Sequence, residues 1–238
     1  MTNTNNNTGF GLTSWDEVNQ TTKPQQKDDS VKIPFLRLSE GNNIVRVITA
    51  PAKYWQIKFL DGKSKFGKRV NCAFPGVSRD ECPTVQAGYK PKKRYLVGVI
   101  DRSEDGGAIK LFDMSVLVYE QLQTLKEDSE YGVPSSYDIN IRYNPKAQSP
   151  GGFYNVVPRT PKPLSEDDQN LINSVTREVI EENLIRLSTP PSVESCKAFL
   201  QKLGWDGVSK VVSLNQSADE LQEASENDYS FDKTAANG

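Results

Sequence analysis

The middle of this chain is built from short segments in which apolar and polar residues alternate. The clearest is YDINIRYN (137–144), where Tyr137, Ile139, Ile141 and Tyr143 fall on every second position. A period of two is typical of a β-strand that turns one face towards a core. Comparable segments, separated by turn residues, lie at 44–50, 53–60, 68–74, 92–101, 108–114 and 153–159. A chain with this pattern has to fold around a β-sheet.

One segment of different period interrupts the strands. In MSVLVYEQLQTLKED (114–128), Val118, Leu122 and Leu125 have helical spacing, which predicts an amphipathic helix. Several strands, one helix and then two more strands is the element order of an OB-fold, a five-stranded Greek-key barrel. We therefore expect a mainly β fold with α additions: an OB-fold with a small subdomain and C-terminal helices.

The segment that follows the last strand has helical spacing. Ser165 is predicted to cap a helix, and a second helix is predicted over 192–204, between a proline pair and a glycine. The core positions of the first helix are Leu171, Val175, Val179 and Leu184. We expect these residues to form a helical extension of the β-rich core.

Composition divides the rest of the chain. The first residues are rich in Asn, Thr and Gln, with a small apolar cluster around Trp15, and the last residues are polar and acidic. The predicted organisation is a flexible arm at 1–30, an OB-fold core at 31–163 with a subdomain near 60–91, a helical extension at 164–206 and a disordered acidic tail at 207–238.

The distribution of charge points to a polyanionic partner. The formal net charge is −2, yet residues 53–110 contain 13 Lys or Arg against 6 Asp or Glu, whereas residues 161–238 contain 7 against 14. A basic middle and an acidic end predict a surface for a polyanion and a tail that competes with it.

Several classes of protein are disfavoured by what the sequence lacks. There is no histidine, which removes the commonest general base and the commonest metal ligand, so we expect a non-enzymatic protein. No stretch approaches the ~20 apolar residues of a membrane span, and no secretory signal is recognisable. Three cysteines at irregular spacing do not form a disulfide framework, which favours a cytoplasmic protein.

The basic part of the chain also contains many aromatic residues, and this combination suits single-stranded nucleic acid. Cations neutralise phosphates, while aromatic faces stack on unpaired bases. If Ile57 faces the core, strand alternation turns Tyr54, Gln56 and Lys58 outward. The predicted nucleic-acid-binding residues are Tyr54, Lys58, Lys63, Lys65, Phe66, Lys68, Arg69, Lys92, Lys93, Arg94, Tyr95, Arg142, Tyr143, Tyr154 and Arg159.

Two cysteines lie in this basic region, in NCAFPGVSRDECPTV (71–85), and they resemble half of a zinc site. A structural zinc ion needs four nitrogen or sulfur ligands. The sequence near Cys72 and Cys82 supplies no third cysteine or histidine, and Cys196 lies in the predicted distal helix. We therefore predict no metal and no cofactor, with Cys72 and Cys82 as buried thiols.

Four sequence segments, taken in order, carry a resemblance to a known family. FLRLSEGNNIVRVI (35–48), YWQIKF, CAFPGVSRDECP and GGFYNVVP are similar in order and spacing to the single-stranded DNA-binding proteins of T-even-like tailed bacteriophages, over about residues 33–190. The resemblance implies an OB-fold with a zinc subdomain and binding to single strands without sequence preference. It also implies a role in phage DNA replication, recombination and repair in the host cytoplasm, with an acidic tail that recruits polymerase, helicase or a helicase loader.

The chain departs from the family at the zinc site and at the N-terminus. The family pattern is one histidine followed by three cysteines. Cys72 and Cys82 match the first two cysteines, whereas Val85 and Phe59 stand at or near the other two positions. The resemblance thus implies remnant zinc-ligand positions, with Val85 and Phe59 stabilising the subdomain by apolar burial. The family's basic N-terminal arm is not recognisable, so self-association on DNA stays an open prediction.

Three other functions are compatible with the same residues. A single-stranded RNA-binding regulator would use the same fold, because contact with a 2′-hydroxyl leaves no sequence motif. An adaptor would use the basic face to bind an acidic protein. A carboxylate-metal nuclease would use Asp101, Glu104 and Asp105, which lie in a predicted turn.

Overall fold

The computed structural model describes residues 31–59, 68–205 and 207. Within these ranges the chain forms a seven-stranded antiparallel sheet and five α-helices, which confirms a mainly β fold with α additions. The strands are β1 (Gly41–Val47), β2 (Ala52–Phe59), β3 (Lys68–Asn71), β4 (Lys92–Asp101), β5 (Ala108–Met114), β6 (Asp138–Tyr143) and β7 (Tyr154–Pro158). The helices are α1 (Pro83–Gln86), α2 (Val116–Glu127), α3 (Glu166–Val175), α4 (Arg177–Ser188) and α5 (Val193–Lys202).

Strand β4 is the centre of the sheet. Its first half, residues 92–96, pairs with β2, and its last three residues pair with β1. Strand β5 pairs along its other side. The order is β3-β2-β4-β1-β6-β7, with β5 beside β4, and among the described residues no pairing joins β5 to β7. The sheet is therefore open, and a parallel bridge from Phe35 to Leu111 lies against β5.

Both faces of β4 are buried, so the sheet separates two cores. On one face, here called the inner face, Val97 and Val99 pack with Val118 and Leu122 of α2. On the other, the outer face, Leu96 and Ile100 pack with residues of α4, which include Ile180 and Leu184. This arrangement explains why β4 is an almost continuous apolar run rather than an alternating one.

The helical extension begins with two helices rather than one. The prediction of a single helix with core positions from Leu171 to Leu184 is wrong, because the chain breaks at Thr176, where φ is 59°. The Thr176 hydroxyl accepts a hydrogen bond from the Val179 N–H and so caps α4. Leu171 and Val175 at the end of α3, and Val179 and Leu184 in α4, still pack against the outer face.

An ion-pair network joins α3 to the sheet. Asp168, in the first turn of α3, forms a capping box with Ser165 and accepts from both terminal nitrogens of Arg102. Arg102 Nη2 also donates to Asp138 Oδ1 at 3.2 Å. Arg46 Nη1 lies 3.5 Å from the same oxygen. Two arginines and two carboxylates therefore connect β1, β4, β6 and α3.

The residues between β3 and β4 form a small third cluster with β2 and α5. Cys72 and Cys82 are free thiols and buried, as predicted, and Cys196 of α5 packs in the same cluster. A hydrogen bond with Cys82, together with burial, raises the pKa of the Cys72 thiol. In the described part of the chain, no group of three or more His, Cys, Asp or Glu is arranged to hold a metal ion.

Phe59 and Val85 both lie in apolar surroundings near the cysteine cluster. Phe59 is buried and makes an edge-to-face contact with Phe199 of α5, with ring centroids 4.8 Å apart. Val85 is partly buried against the cysteine cluster. Of the helices within the described ranges, none combines the length and the apolar character needed to cross a membrane.

Candidate nucleic-acid interface

Strand pairing brings four cationic residues to one face of β2, β3 and β4. Lys58 of β2 lies on the same face as Tyr54, because side chains separated by an even number of positions along a strand share a face. Arg94 is paired with Tyr54, and Arg69 is paired with Lys58. Lys92 lies two residues before Arg94 and shares its face. We call Lys58, Arg69, Lys92 and Arg94 the cationic face.

The pairing of Lys58 with Arg69 places two positive charges directly opposite each other across β2 and β3. Like charges directly opposite each other in a sheet destabilise the pair by a few tenths to about 1 kcal/mol. Neighbouring cations also produce a positive potential that attracts a polyanion. The Arg69 side chain is 46% exposed, which leaves it accessible to such a ligand.

A carboxylate from β5, Asp113, organises the buried part of this face. Arg94 Nε donates to Asp113 Oδ1 at 2.9 Å, and Arg94 Nη2 donates to the Asp113 carbonyl at 2.9 Å. The Tyr54 hydroxyl donates to the same Oδ1 at 2.8 Å. Arg69 Nη1 lies 3.9 Å from Oδ2. Asp113 thus fixes Arg94 and Tyr54 firmly and Arg69 loosely.

The pKa shifts reflect this arrangement. Burial, then the charge of Asp113 and the hydrogen bond to it, raise the pKa of the Tyr54 phenol, so Tyr54 stays a neutral donor. Burial lowers the pKa of Arg94, but Asp113 more than offsets it and the net pKa is raised. Tyr54 and Tyr154 contribute to the same increase.

Two of the predicted stacking residues are buried, and for these the structure corrects the prediction. Tyr54 lies on the expected side of β2, but it is only 6% exposed because the helical extension covers the outer face. Tyr95 is also buried, and its ring stacks on Tyr119 of α2, with centroids 3.6 Å apart. Neither ring is available to a base in this conformation.

A second pair of tyrosines remains partly exposed. Tyr143 and Tyr154 are paired directly across β6 and β7, and their rings stack with centroids 5.3 Å apart and an interplanar angle of 18°. Both are half-buried beside the inner core. Arg142, the neighbour of Tyr143, is exposed on the opposite face of β6, and Arg159 is exposed just after β7.

One further predicted cation, Lys93, lies on the second face of β2 and β4, together with Lys53, which was not predicted. Lys93 is exposed and lies over the ring of Tyr95, with Nζ 5.9 Å from the centroid. Lys53 lies over the ring of Trp55 at 5.4 Å. Burial, then the charge of Lys93, lower the pKa of Lys53, which indicates that the two amines lie near each other.

Some predicted residues cannot be placed. Lys63, Lys65 and Phe66 lie outside the described residues, as do the N-terminal arm with Trp15 and the acidic tail. Lys68 belongs to β3 by its backbone.

Two of the three carboxylates of the nuclease alternative, Asp101 and Glu104, are engaged in ion pairs. Lys110 Nζ lies 2.8 Å from Asp101 Oδ2 and 2.6 Å from Glu104 Oε1. Asp101 also accepts from the backbone and hydroxyl of Ser103. A divalent cation at this turn would have to displace a lysine, so the geometry does not favour metal-dependent cleavage there.

Sequence reasoning missed Asp113, although a signal for it was present. In AIKLFDM (108–114), Ile109, Leu111 and Asp113 share one face of the strand, and the first two are core residues. An acid in an apolar register needs a buried partner.

Comparisons of the chain with models of protein families, with curated proteins and with solved structures give no match.

Proposed function

We propose that this protein binds single-stranded DNA without sequence preference and has no catalytic activity. The observation that carries the proposal is the cationic face, where three adjacent strands place Lys58, Arg69 and Lys92 on one side. Arg94 lies on the same side but is buried and engaged by Asp113, so the structure corrects the prediction that it contacts DNA. Regularly spaced cations suit a phosphate backbone, which carries charge but no sequence information.

The stacked tyrosines support single strands over duplex. Tyr143 and Tyr154 are partly exposed, and Tyr154 contributes to the raised pKa of Arg94. These rings lie beside the inner core, whereas the cationic face is on the outer side of β2 and β4, so we propose the two tyrosines as a separate contact region for bases. Stacking there requires unpaired bases and contributes about 1–3 kcal/mol for each base.

We further propose that the sheet is an open variant of the OB-fold. Taking β1 and β2 as one bent first strand, the remaining strands β4, β5, β6 and β7 follow as second to fifth, with α2 between the third and the fourth. The observed antiparallel pairings have the Greek-key order of that fold. They join β1 and β2 to β4, β4 to β5, β1 to β6 and β6 to β7. The closing contact between β5 and β7 is the difference.

The family resemblance extends the proposal to a biological setting. A protein that coats unwound DNA during phage replication, recombination and repair needs a surface indifferent to sequence. On this proposal the tail recruits polymerase, helicase or a helicase loader, and it also competes with DNA for the cationic face.

The experiment is a titration of intrinsic fluorescence with poly(dT), with duplex DNA and with poly(U), at several salt concentrations. We expect quenching by poly(dT), weak binding to duplex and a slope of log affinity against log salt of about −2 if Lys58, Arg69 and Lys92 each neutralise one phosphate. Tighter binding to poly(U) would favour the RNA regulator. Failure of all three polymers to bind at low salt would favour the adaptor that binds an acidic protein.

A further inference from the structure

Arg46 of β1 is a buried cation with incomplete pairing. Its side chain is 1% exposed, and its nearest carboxylate oxygen, Oδ1 of Asp138, is 3.5 Å away. Nη2 donates to the carbonyl of Lys162, and among the described residues Nε has no hydrogen-bond partner. Buried charges are normally paired and hydrogen-bonded at close distance, because an unpaired one costs several kcal/mol. Arg46 therefore has capacity for a further anionic acceptor.

An open surface pocket with a volume of about 390 Å³, here called the cavity, lies beside this arginine. Arg46 lines it together with Ser135, Ser136 and Lys162, and two prolines and Leu164 complete the wall. Hydroxyl, ammonium and guanidinium groups all donate to oxyanions. The cavity thus has the donor set of an anion site, with rigid proline backbone around it.

The charges around the cavity favour an anion as well. Asp138 is the carboxylate closest to Arg46, and its negative charge is shared among Arg46, Arg102 and Lys162, the last at 3.5 Å. Asp168 is engaged by Arg102. Three cations against two carboxylates leave this network with a net charge of +1. Burial lowers the pKa of Arg46, and a bound anion would oppose that effect.

This cavity is separate from the cationic face. Arg46 pairs with Ile100 near the end of β4, whereas Arg94 lies six residues earlier on the same strand. Six residues of strand span about 20 Å. Helix α4 packs on the sheet between the two positions, against Gly98.

We propose that the cavity beside Arg46 is a binding site for a phosphate group, with the Arg46 guanidinium as the buried positive charge and with Lys162 Nζ and the Ser135 and Ser136 hydroxyls as donors. Phosphate suits the site better than a carboxylate, because its three or four oxygens can accept from donors on several sides. The group can be free inorganic phosphate or the terminal phosphate of a short nucleotide strand. The cavity volume accommodates one phosphate with an attached sugar, and the site does not depend on the proposed DNA-binding function.

The test is isothermal titration of the full chain with inorganic phosphate at constant ionic strength, with chloride as the balancing anion. We expect saturable binding, and we expect the ¹⁵N resonance of Arg46 Nε to shift as phosphate is added. A thymidine dinucleotide with a 5′-phosphate, and the same dinucleotide without it, identify the source of the phosphate. If the phosphorylated dinucleotide binds more tightly than both its unphosphorylated form and inorganic phosphate, the ligand is a strand end. If the phosphorylated dinucleotide and inorganic phosphate bind with equal affinity, the ligand is the free anion.

The informative variant is Lys162→Ala. Lys162 is 62% exposed, and Arg46 contacts its backbone carbonyl rather than its amine, so the fold is retained. Loss of one charge-assisted hydrogen bond should weaken phosphate binding roughly tenfold. Lys146→Ala is the matched control, because it removes an exposed lysine beyond the other end of β6. Equal phosphate affinity in Lys162→Ala and the unmodified chain, or no saturable binding by the latter, would overturn the proposal.

Discussion

Asp113 determines how the cationic face is presented at the scale of single residues. One carboxylate oxygen accepts from Arg94 and from Tyr54, and the other lies near Arg69. The buried arginine is thus held in place without being exposed to water. The exposed arginine, Arg69, lies at the surface, where a phosphate can approach it. The carboxylate of Asp113 therefore holds the neighbouring side chains in position rather than only neutralising their positive charge.

The first prediction concerns Tyr54, which is a structural donor rather than a stacking residue. Tyr54→Phe removes the hydrogen bond to Asp113 but keeps the ring. We expect the free energy of unfolding to fall by about 1–3 kcal/mol, as for a hydrogen bond to a charged group, when measured by urea denaturation. Affinity for poly(dT) should change less than twofold. A large loss of affinity for poly(dT) at an unchanged free energy of unfolding would show that Tyr54 contacts the DNA.

The second prediction concerns Arg69, the exposed member of the cationic face. Arg69→Ala should weaken poly(dT) binding several-fold and reduce the salt slope by about 0.7, because one phosphate contact is lost. Arg177→Ala is the matched control: it removes an exposed arginine at the start of α4, about 18 Å from the end that contacts Asn71 of β3. If both variants changed the slope equally, binding would depend on overall charge and not on this face.

At the scale of elements, alternation predicted the strands well and their surroundings poorly. The predicted strands at 92–101 and 108–114 coincide with β4 and β5. Alternation also assigned Tyr54 to the correct side of β2. It could not show that helices cover both sides of the sheet. For this reason the prediction that Tyr54 and Tyr95 are exposed was wrong. The break at Thr176 was missed because neither glycine nor proline marks it.

The third prediction concerns the attachment of α3. The hydrogen bond from Arg102 is the main cause that lowers the pKa of Asp168 to about 2. A carboxyl group whose pKa is lower in the folded protein stabilises the fold above its unfolded pKa of about 3.9, and this contribution disappears as the pH falls towards 2. Asp168→Asn should therefore be about 2 kcal/mol less stable at pH 6, and the difference should approach zero at pH 2.

Chemical denaturation at a series of pH values measures this difference. Asparagine keeps a side-chain oxygen for the helix cap, so the variant tests the charge rather than the cap. Asp167→Asn is the matched control, since Asp167 is an exposed acid in the same turn. A stability difference for Asp168→Asn that stayed constant down to pH 2 would show that the ion pair with Arg102 contributes nothing.

At the scale of the whole molecule, the contacts that define the sites join residues far apart in sequence. Cys196 packs with Cys72 and Cys82, and Arg46 contacts Lys162. A single sequence reports the period of each element but not which elements meet. The cationic face was predictable because its residues lie on neighbouring strands of one hairpin region. The phosphate cavity was not, because it forms where β1 meets the connection to α3.

The last prediction tests whether the helical extension and the sheet unfold as one unit. Gly98 lies in β4 under α4, and a Cβ there would approach Ile180 Cγ2 to 2.8 Å and Thr49 Cγ2 to 3.1 Å. Gly98→Ala should lower the free energy of unfolding by about 1–3 kcal/mol, the usual effect of overpacking a core. Gly151→Ala is the control, because no atom lies within 4 Å of its Cβ position.

Two measurements distinguish a local effect from a global one. If α4 and the sheet form one cooperative unit, tryptophan fluorescence and far-UV circular dichroism give the same shifted urea midpoint in Gly98→Ala. In a protein that already carries Ile180→Ala, the smaller side chain leaves room for the added methyl group. Gly98→Ala should therefore lower the free energy of unfolding by less in that protein. Separate transitions for the two probes would mean that the extension detaches first. The ion pairs of Arg102 would then not be strong enough to couple α3 and α4 to the sheet.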